Sequence, residues 1–354
     1  VAPRRQRVGE YLSKSVAHDF NRDGHYDLFV GVRLIPFSYG YPGNGYILIN
    51  DGHGNFADST TAIAPGLREL GMITDAKWAD LNNDANVDLV VIGEWMGIRV
   101  FLQEAGKLID RSAAYGLENT NGWYNAVEVA DLDKNGYLDI IAGNHGFNSR
   151  FKASGDEPVQ LYVKDFDGNG DIEHILTRFD KGRSLPLAQR NDLLAQIPSL
   201  KKKLLYFDQY KGKKISDIFT EEQLKGVRVL NAYTFETSCW LNQNGSRFER
   251  KPLPFQAEIS PVYAIVVDDF DHDGNPDILL GGNLYRAKPE TGIYSGSYGV
   301  LLKGDGKGGF SVVAPSRSGV SIKGEIRALK KFNYRKDDYI LVARNNAPMV
   351  FLKY

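Results

Sequence analysis

Five nine-residue segments of the sequence carry aspartate or asparagine at alternating positions. They begin at residues 19, 80, 131, 165 and 269 and read DFNRDGHYD, DLNNDANVD, DLDKNGYLD, DFDGNGDIE and DFDHDGNPD. The side chains at positions 1, 3, 5 and 9 offer oxygen atoms, and the main-chain carbonyl of position 7 offers one more. Ca²⁺ binds about six to eight oxygen ligands in loops of this kind. The spacing therefore predicts up to five calcium sites, one in each segment, and we name the segments acidic loops 1 to 5.

The predicted ligands follow one pattern in all five acidic loops, with the position 7 residue acting through its carbonyl. They are Asp19, Asn21, Asp23, His25 and Asp27; Asp80, Asn82, Asp84, Asn86 and Asp88; Asp131, Asp133, Asn135, Tyr137 and Asp139; Asp165, Asp167, Asn169, Asp171 and Glu173; and Asp269, Asp271, Asp273, Asn275 and Asp277. Position 6 is glycine in four loops, which suits a sharp turn, whereas Ala85 occupies it in loop 2. An EF-hand would need a glutamate at position 12 and flanking helices. Apolar strand residues flank these loops instead, so the pattern predicts strand–loop–strand sites.

Each acidic loop joins two short apolar strands, and two further strands around a glycine turn follow most of these pairs. The loop starts are 61, 51, 34 and 104 residues apart, which is irregular but on the scale of a four-stranded propeller blade. A worn sixth copy spans residues 326–342, where Lys331 and Arg335 stand in place of carboxylates and no metal is expected. The repeats predict an all-β fold, a β-propeller of six blades, with seven blades as the alternative.

Two stretches depart from the regular repeat. Residues 144–159 leave little room for the last two strands of the third unit, so we expect a shortened blade there. Residues 187–226 favour helix, because Thr220 and Gln223 form a capping box and Gly226 suits a helix end. The sequence thus predicts a single propeller domain over residues 1–354, with a helical insertion at 187–226 within the fourth blade.

The strand–DxDxDGxxD–strand units with their glycine hairpins resemble FG-GAP/VCBS repeats, the calcium-loop propeller repeats of integrin α-subunit heads. Residues 143–154 (GNHGFNSRFKAS), 281–299 (GGNLYRAKPETGIYSGSYG) and 342–346 (VARNN) resemble large secreted bacterial VCBS-repeat proteins, which are related to the ASPIC/UnbV and cartilage acidic protein group. The resemblance implies a binding or adhesion module, part of a larger protein and located outside the cytoplasm: secreted, on the cell surface or in the periplasm. It does not imply a particular activity.

The propeller face opposite the acidic loops is the predicted ligand face. In this strand order the acidic loops and glycine hairpins share one face, and the remaining, longer loops share the other. The candidate ligand-binding residues on that second face are Trp95, Trp123, His145, Arg150, Asn283, Tyr285, Arg286, Arg344 and Asn345. Aromatic rings beside arginine and asparagine suit a glycan or a protein ligand, because they combine contact area with directional hydrogen bonds. The alternative is that these side chains pack between blades.

Composition excludes some classes of function. The 43 basic and 44 acidic residues give a net charge of -1, which argues against a nucleic-acid-binding protein. No apolar run is long enough for a membrane span, and the single cysteine, Cys239, excludes an intrachain disulfide. Five calcium ions would add ten positive charges and take the net charge to +9, which would favour an anionic partner. The oligomeric state stays open, and the start at Val1 without methionine indicates a fragment of a larger protein.

A second class of function is a carbohydrate-active enzyme, a polysaccharide lyase or glycoside hydrolase, with its site on the same face. The six histidines show no zinc-binding spacing, and residues 304–309 (GDGKGG) join two strands, unlike a nucleotide-binding loop. No carboxylate pair stands out in the loops of the ligand face, so no catalytic residue is predicted. Two carboxylates, or a histidine and an arginine, facing each other across the axis would favour the enzyme.

Overall fold

The computed structural model describes residues 9–288 and 291–354. Residues 1–8 of the predicted domain, and residues 289 and 290 of the 281–299 segment, lie outside the described residues. The described chain is mostly β, as the repeats predict, and its strands form several antiparallel sheets.

Sheets 1 and 2 follow directly along the chain. Sheet 1 contains β1 (Tyr11–His18), β2 (Asp27–Leu34), β3 (Gly45–Asn50) and β4 (Phe56–Asp58). Sheet 2 contains β5 (Met72–Ala79), β6 (Asp88–Met96), β7 (Arg99–Glu104) and β8 (Lys107–Asp110), and the short β9 (Gly122–Trp123) also pairs with β6. In both sheets the acidic loop joins the first two strands.

Sheet 3 is interrupted by sheet 4. It begins with β10 (Ala126–Ala130) and β11 (Asp139–Gly143). The chain then forms sheet 4 from β12 (Val159–Lys164), β13 (Glu173–Asp180), β14 (Arg183–Pro186) and β15 (Arg228–Ala232), in the order β14-β13-β12-β15. It returns with β16 (Ser238–Asn242) and β17 (Phe248–Pro252), which complete sheet 3 in the order β10-β11-β16-β17.

The last two sheets again follow along the chain. Sheet 5 contains β18 (Val262–Asp268), β19 (Asp277–Gly282), β20 (Val300–Gly304) and β21 (Phe310–Val313). Sheet 6 contains β22 (Glu325–Tyr334), β23 (Asp337–Asn345) and β24 (Val350–Lys353).

The assignment of strands after the third acidic loop was therefore wrong. The sequence predicts a shortened third unit at residues 144–159. It also predicts that the strand at Cys239, which follows the helical insertion, belongs to the fourth unit. In the structure Cys239 lies opposite Ile141 and Trp240 lies opposite Ile140, so β16 belongs to sheet 3. The reason is burial: both faces of β11 and β16 are buried, and β11 needs a hydrogen-bonded neighbour on each side. Sheet 4 is thus an insertion within the third repeat.

Short helices occupy residues 187–226, between β14 and β15. They are α2 (Arg190–Gln196), α3 (Ile215–Ile218) and α4 (Glu221–Leu224), with 3-10 turns at Pro198–Lys202 and Phe207–Gln209. The Thr220 hydroxyl accepts a hydrogen bond from the Gln223 amide at 3.3 Å, and the Gln223 side chain accepts one from the Thr220 amide at 3.0 Å. This reciprocal pair is the capping box that the sequence indicates. The apolar faces of these helices pack on Phe166, which follows the first residue of acidic loop 4. Short helices also lie at α1 (Thr60–Ile63), before β5, and α5 (Pro315–Ser318), before β22.

The first strands of sheets 1, 2, 3, 5 and 6 pack against one another in that order. β1 contacts β5, β5 contacts β10, β10 contacts β18, and β18 contacts β22. Separate apolar clusters fill the spaces between neighbouring sheets of this series. Sheet 4 stands outside the series, and its strand β15 packs on β6 and β9 of sheet 2. The acidic loops and the starts of the first strands consequently lie at opposite ends of the same set of strands.

Candidate functional site

The first aspartate of every acidic loop is held in the same way. Its two carboxylate oxygens accept the backbone N–H groups of positions 5 and 6, at distances between 2.8 and 3.2 Å. The side-chain oxygen at position 5 in turn accepts the N–H of position 7, at 2.7 to 2.9 Å. Repetition of these bonds in five loops shows that one backbone conformation recurs in all of them.

The acid at position 9 ties the loop to the sheet. One oxygen accepts the N–H of position 2 in every loop, at 2.7 to 3.1 Å. In loops 1, 2, 3 and 5 the other oxygen accepts an N–H from the third strand of the same sheet, at 2.7 to 2.9 Å. In loop 3 that donor is Asn242, on β16, so Asp139 bridges two parts of sheet 3 that the insertion separates. Asp139 is completely buried.

Two positions of each acidic loop have left-handed backbone. Position 6 has φ between 84° and 91° at the four glycines and 64° at Ala85. Position 4 is also left-handed, with φ from 57° to 62° at Arg22, Asn83, Lys134 and His272, and 77° at a glycine in loop 4. The turn at position 6 is predicted from the sequence, whereas the one at position 4 is not. Its only sequence signal is the mixture of Asn, Gly and long polar residues there.

Position 4 side chains connect neighbouring loops. The Arg22 guanidinium of loop 1 donates to the Asn86 side chain of loop 2 at 3.1 Å. Asn83 of loop 2 donates to a carbonyl of loop 3 at 2.9 Å, and Lys134 of loop 3 donates to a carbonyl of loop 5 at 3.0 Å. Acidic loops 1, 2, 3 and 5 therefore lie in one row, in the order of their sheets.

The electrostatics of the acidic loops suit a divalent cation. In three loops, three carboxylate oxygens lie within 4.8 Å of one another; these loops contain Asp131, Asp133 and Asp139; Asp165, Asp167 and Glu173; and Asp269, Asp271 and Asp273. Burial, and then the neighbouring loop carboxylates, raise the pKa of Asp88 to about 6 and that of Asp139 to about 7. Like charges at this spacing disfavour ionisation, and a cation would relieve the repulsion. An all-oxygen donor set fits Ca²⁺ better than a softer metal.

Loop 5 differs because a lysine reaches its carboxylates. The Lys303 ammonium lies 2.7 Å from the Asp273 carboxylate and also contacts Asp271. This lysine comes from β20, and the two carboxylates raise its pKa. A cation at loop 5 would have to displace it.

Four of the nine predicted ligand-face residues form a packed cluster. The Trp123 ring lies 5.0 Å from that of Trp95 and 5.2 Å from that of His145, and it also packs on Phe151 and Phe235. The Arg150 guanidinium lies 5.5 Å from the Phe151 ring. Trp95 is 5% exposed, and its indole N–H donates to the Tyr39 hydroxyl at 3.0 Å. Burial lowers the pKa of His145 to about 4, so the ring is neutral near pH 7.

Sheet 4 accounts for the burial of this cluster. Its apolar residues Val159, Leu161 and Val163 pack in the same core as Trp95 and Phe151. Within the described residues, the buried nitrogens Trp123 Nε1, His145 Nε2 and Arg150 Nε have no hydrogen-bond partner. The position of these residues agrees with the packing alternative, although the three nitrogens retain unused hydrogen-bonding capacity.

The other five predicted residues lie around Glu325 and the adjoining loops. Glu325 accepts bonds from the Tyr285 amide at 2.9 Å and the Asn345 side chain at 2.8 Å. Asn283 is 1% exposed and its side chain bonds to the backbone of Ser297 and Gly324 and to the Ser260 hydroxyl. The Arg344 guanidinium donates to the carbonyls of Lys323 and Pro348. Tyr285, Arg286 and Asn345 are exposed, so these three members of the group present side chains to solvent.

A cavity of about 450 Å³ opens between the starts of the first strands, at the end away from the acidic loops. Its lining includes Ser13, Thr74, Asn125 and Tyr263, together with Arg33 from the end of β2. The first aspartate of an acidic loop follows six positions after each of Ser13, Thr74, Asn125 and Tyr263. At three of these residues, Ser13, Thr74 and Tyr263, a β-bulge interrupts the strand. Bulges redirect a side chain out of the regular alternation of a strand. These residues were not predicted, although their constant offset from the loops is visible in the sequence.

Comparisons with known proteins identify the repeat but not the whole chain. The family model described as FG-GAP-like repeat matches residues 19–91 and 80–142, and each match begins at the first aspartate of an acidic loop. No curated protein sequence matches the chain. Among the described residues, no helix is both long enough and apolar enough to cross a membrane.

Similar solved structures include three proteins of low sequence identity. A lectin from Agrocybe aegerita that recognises non-reducing terminal N-acetylglucosamine is 15% identical, with a TM-score of 0.31, over 96% of this chain and 80% of the lectin. The rhamnogalacturonan lyase YesW is 10% identical, with a TM-score of 0.36, over 94% of this chain. The exotype rhamnogalacturonan lyase YesX is 12% identical, with a TM-score of 0.35, over 97% of this chain. The chain spans 55% of the length of both lyases. The finding that concerns this chain itself is that it contains FG-GAP-like repeats, as the sequence analysis predicted, between residues 19 and 142.

Proposed function

We propose that this chain is a calcium-stabilised β-propeller of FG-GAP repeats that serves as a binding or adhesion module, with a glycan or protein ligand on the face opposite the acidic loops. The observation that carries the proposal is the hydrogen-bond pattern common to all five acidic loops. Five copies of one oxygen-rich conformation are unexpected for ordinary surface turns, whereas they are what a repeated metal site requires.

The backbone N–H groups orient the loop carboxylates before any ion binds. Positions 1 and 5 are each fixed by N–H donors of the same loop, and position 9 is fixed by donors from the loop start and, in four loops, the third strand. A carboxylate oxygen that accepts an N–H still has a lone pair for a cation. When calcium binds, it supplies positive charge to these clustered acids, and that binding energy stabilises the folded state.

The count of six blades, with seven as the alternative, stays a prediction. Sheets 1, 2, 3, 5 and 6 pack in series, and sheet 4 lies outside that series. The repeat model matches residues 19–142, which contain loops 1 to 3. We extend the repeat assignment to loops 4 and 5 because their hydrogen bonds are the same. The relationship to the ASPIC/UnbV and cartilage acidic protein group stays a prediction. We propose a location outside the cytoplasm, and we expect calcium affinities in the range of extracellular modules, on the order of 10⁻⁴–10⁻³ M.

Calcium binding to the chelator-treated chain tests the first half of the proposal. We expect titration calorimetry to detect several ions, and thermal unfolding to shift upward with Ca²⁺ and downward with EGTA. Mg²⁺ at the same concentration should stabilise less, because it demands tighter octahedral geometry. A melting temperature that is the same in EGTA and in saturating Ca²⁺ would contradict the structural role of the metal.

A glycan array on the calcium-loaded chain, followed by a product assay on each hit, tests the second half. Binding without product supports a binding module, and release of product would favour the carbohydrate-active enzyme. Among the described residues, the cavity lining contains no carboxylate or histidine, so it offers no pair of those groups as acid and base. For that reason the binding module is the function we propose.

A further inference from the structure

The cavity between the first strands is built by a device that the repeats share. A β-bulge interrupts β1, β5 and β18 six positions before the acidic loop. The same bulge occurs in β22, six positions before Asn333 of the worn sixth copy. The residues at these bulges are Ser13, Thr74, Tyr263 and Arg327, and Asn125 takes the equivalent place just before β10. Four of these residues line the cavity: Ser13, Thr74, Asn125 and Tyr263. They come from sheets 1, 2, 3 and 5, so the repeat directs one polar side chain from each of these four sheets to a common point.

The cavity offers a mixture of hydrogen-bond donors and acceptors. The Ser13 hydroxyl donates to the Ile73 carbonyl at 2.6 Å, and the Thr74 hydroxyl donates to the Tyr124 carbonyl at 2.8 Å. Both hydroxyl oxygens therefore remain free to accept. In the part of the chain that the structure describes, the Asn125 amide and the Tyr263 hydroxyl make no side-chain hydrogen bond, so they are free to donate and to accept.

The cations beside the cavity are already neutralised. Arg33 forms an ion pair with Glu94 at 2.5 Å, and Lys14 pairs with Asp75 at 2.7 Å. The Arg327 guanidinium lies 4.2 Å from the centroid of the Tyr263 ring and pairs with Glu325. Each of these three cations has a carboxylate partner, so within the described residues 9–288 and 291–354 they add no excess positive charge to select an anionic ligand.

From this lining we infer that the cavity binds a neutral sugar, as a monosaccharide or as the terminal residue of a glycan. The inference rests on the proposed function and names the ligand class and the place where it binds. Sugar hydroxyls both donate and accept, which matches Asn125, Tyr263, Ser13 and Thr74, while the Tyr263 ring and Leu12 offer apolar surface to sugar C–H groups. A volume of about 450 Å³ lies within the range of small-molecule sites.

The sugar site and the calcium sites can be perturbed separately. The bulge residues are six positions from the acidic loops, which is about 20 Å along an extended strand. Tyr263→Phe keeps the ring and its contact with Arg327 but removes the hydroxyl. Asn125→Ala removes the amide from a different sheet. Tyr334→Phe is the matched control, because Tyr334 is 55% exposed at the far end of β22.

The test is titration calorimetry of the calcium-loaded full chain with the methyl glycosides of glucose, galactose and mannose, and with glucuronate as the anionic probe. We expect at least one neutral glycoside to bind, with little dependence on salt. Tyr263→Phe and Asn125→Ala should each weaken that binding about tenfold, the effect of one lost hydrogen bond, and Tyr334→Phe should not. Thermal unfolding of each variant checks that it is folded.

Three outcomes would overturn the inference. In the first, no neutral glycoside binds. In the second, glucuronate binds more tightly than the neutral glycosides and salt weakens its binding. In the third, Tyr263→Phe and Asn125→Ala are both folded and bind the neutral glycoside as tightly as the wild type. In the last case a sugar still binds elsewhere on the chain, so the proposed binding function survives while the cavity assignment fails. Loss of the calcium effect on unfolding, in contrast, would remove the metal half of the proposed function without bearing on the cavity.

Discussion

Replacement of Asp139 by alanine should destabilise the protein even when no calcium is present. The Asp139 carboxylate is completely buried and accepts the Leu132 amide and the Asn242 amide, each at 2.7 Å. Alanine leaves both N–H groups without an acceptor in the interior. A buried unsatisfied polar group costs about 1–3 kcal/mol, so the two together cost roughly 2–6 kcal/mol.

A second effect reduces this cost. Burial raises the pKa of Asp139 to about 7, which means that the ionised carboxylate is itself unfavourable in the metal-free fold at neutral pH. Alanine removes that penalty along with the hydrogen bonds. We therefore expect a net loss in the lower half of the range, about 2–4 kcal/mol, in the free energy of unfolding at pH 7.

Asp133→Asn is the matched comparison in the same loop. Asp133 occupies position 3, where loops 1 and 2 already carry asparagine, and its oxygens bond within the loop to Asn135. This change should alter the metal-free stability by less than about 0.5 kcal/mol but reduce the gain on adding calcium. Urea unfolding of the wild type and both variants, in EGTA and in saturating Ca²⁺, measures all of these differences. If Asp139→Ala unfolds like the wild type in EGTA, the carboxylate does not tie loop 3 to β16.

Three further predictions concern single residues. Ala85→Gly should stabilise the fold by about 1 kcal/mol and raise the calcium affinity of loop 2, because Ala85 has a left-handed φ of 64°. Unfolding and calcium titrations measure both effects, and no gain in either would mean that the turn is unstrained. Lys303→Gln should increase calcium binding at loop 5, because it removes the ammonium that contacts Asp271 and Asp273. Calcium occupancy at loop 5, refined in crystals grown at subsaturating calcium, measures this. An unchanged occupancy would contradict competition between the lysine and calcium. Glu258 is 2% exposed, and burial raises its pKa from 4.5 to about 8, so the folded state loses stability as pH rises between these values. Glu258→Gln should therefore gain about 2–4 kcal/mol over the wild type at pH 8 and nothing at pH 4, whereas equal effects at both pH values would refute the titration.

The features that the sequence predicted correctly are local. The turn at position 6 depends on residues within one loop, and the Thr220 capping box depends on four consecutive residues. The match of the repeat model to residues 19–142 reflects the same regular spacing. Such features need no knowledge of distant contacts, which is why a single sequence was enough.

The errors concern contacts between distant parts of the chain. Pairing of Ile141 with Cys239 crosses almost a hundred residues, and the local pattern around Cys239 gave no sign of which sheet it joins. Whether Trp95 and Trp123 face solvent depends on where sheet 4 packs, which again is not a local property. Trp95 and Trp123 were predicted on the ligand face from the order of strands within a blade. Packing of sheet 4 on sheet 2 buries Trp95 and leaves Trp123 partly exposed, and ligand binding by these residues stays a prediction.

The two ends of the first strands are fixed by different interactions, and this separates the roles of metal and ligand. At the loop end, Arg22 and Asn83 reach across to the next acidic loop, where calcium is proposed to bind. At the cavity end, the Ser13 hydroxyl donates to the Ile73 carbonyl on β5, and the Thr74 hydroxyl donates to the Tyr124 carbonyl, just before β10. These bonds hold neighbouring strands together about 20 Å from the metal sites, without any help from an ion. Calcium should therefore determine how stable the fold is, while the bulges determine the shape of the cavity as long as the chain is folded.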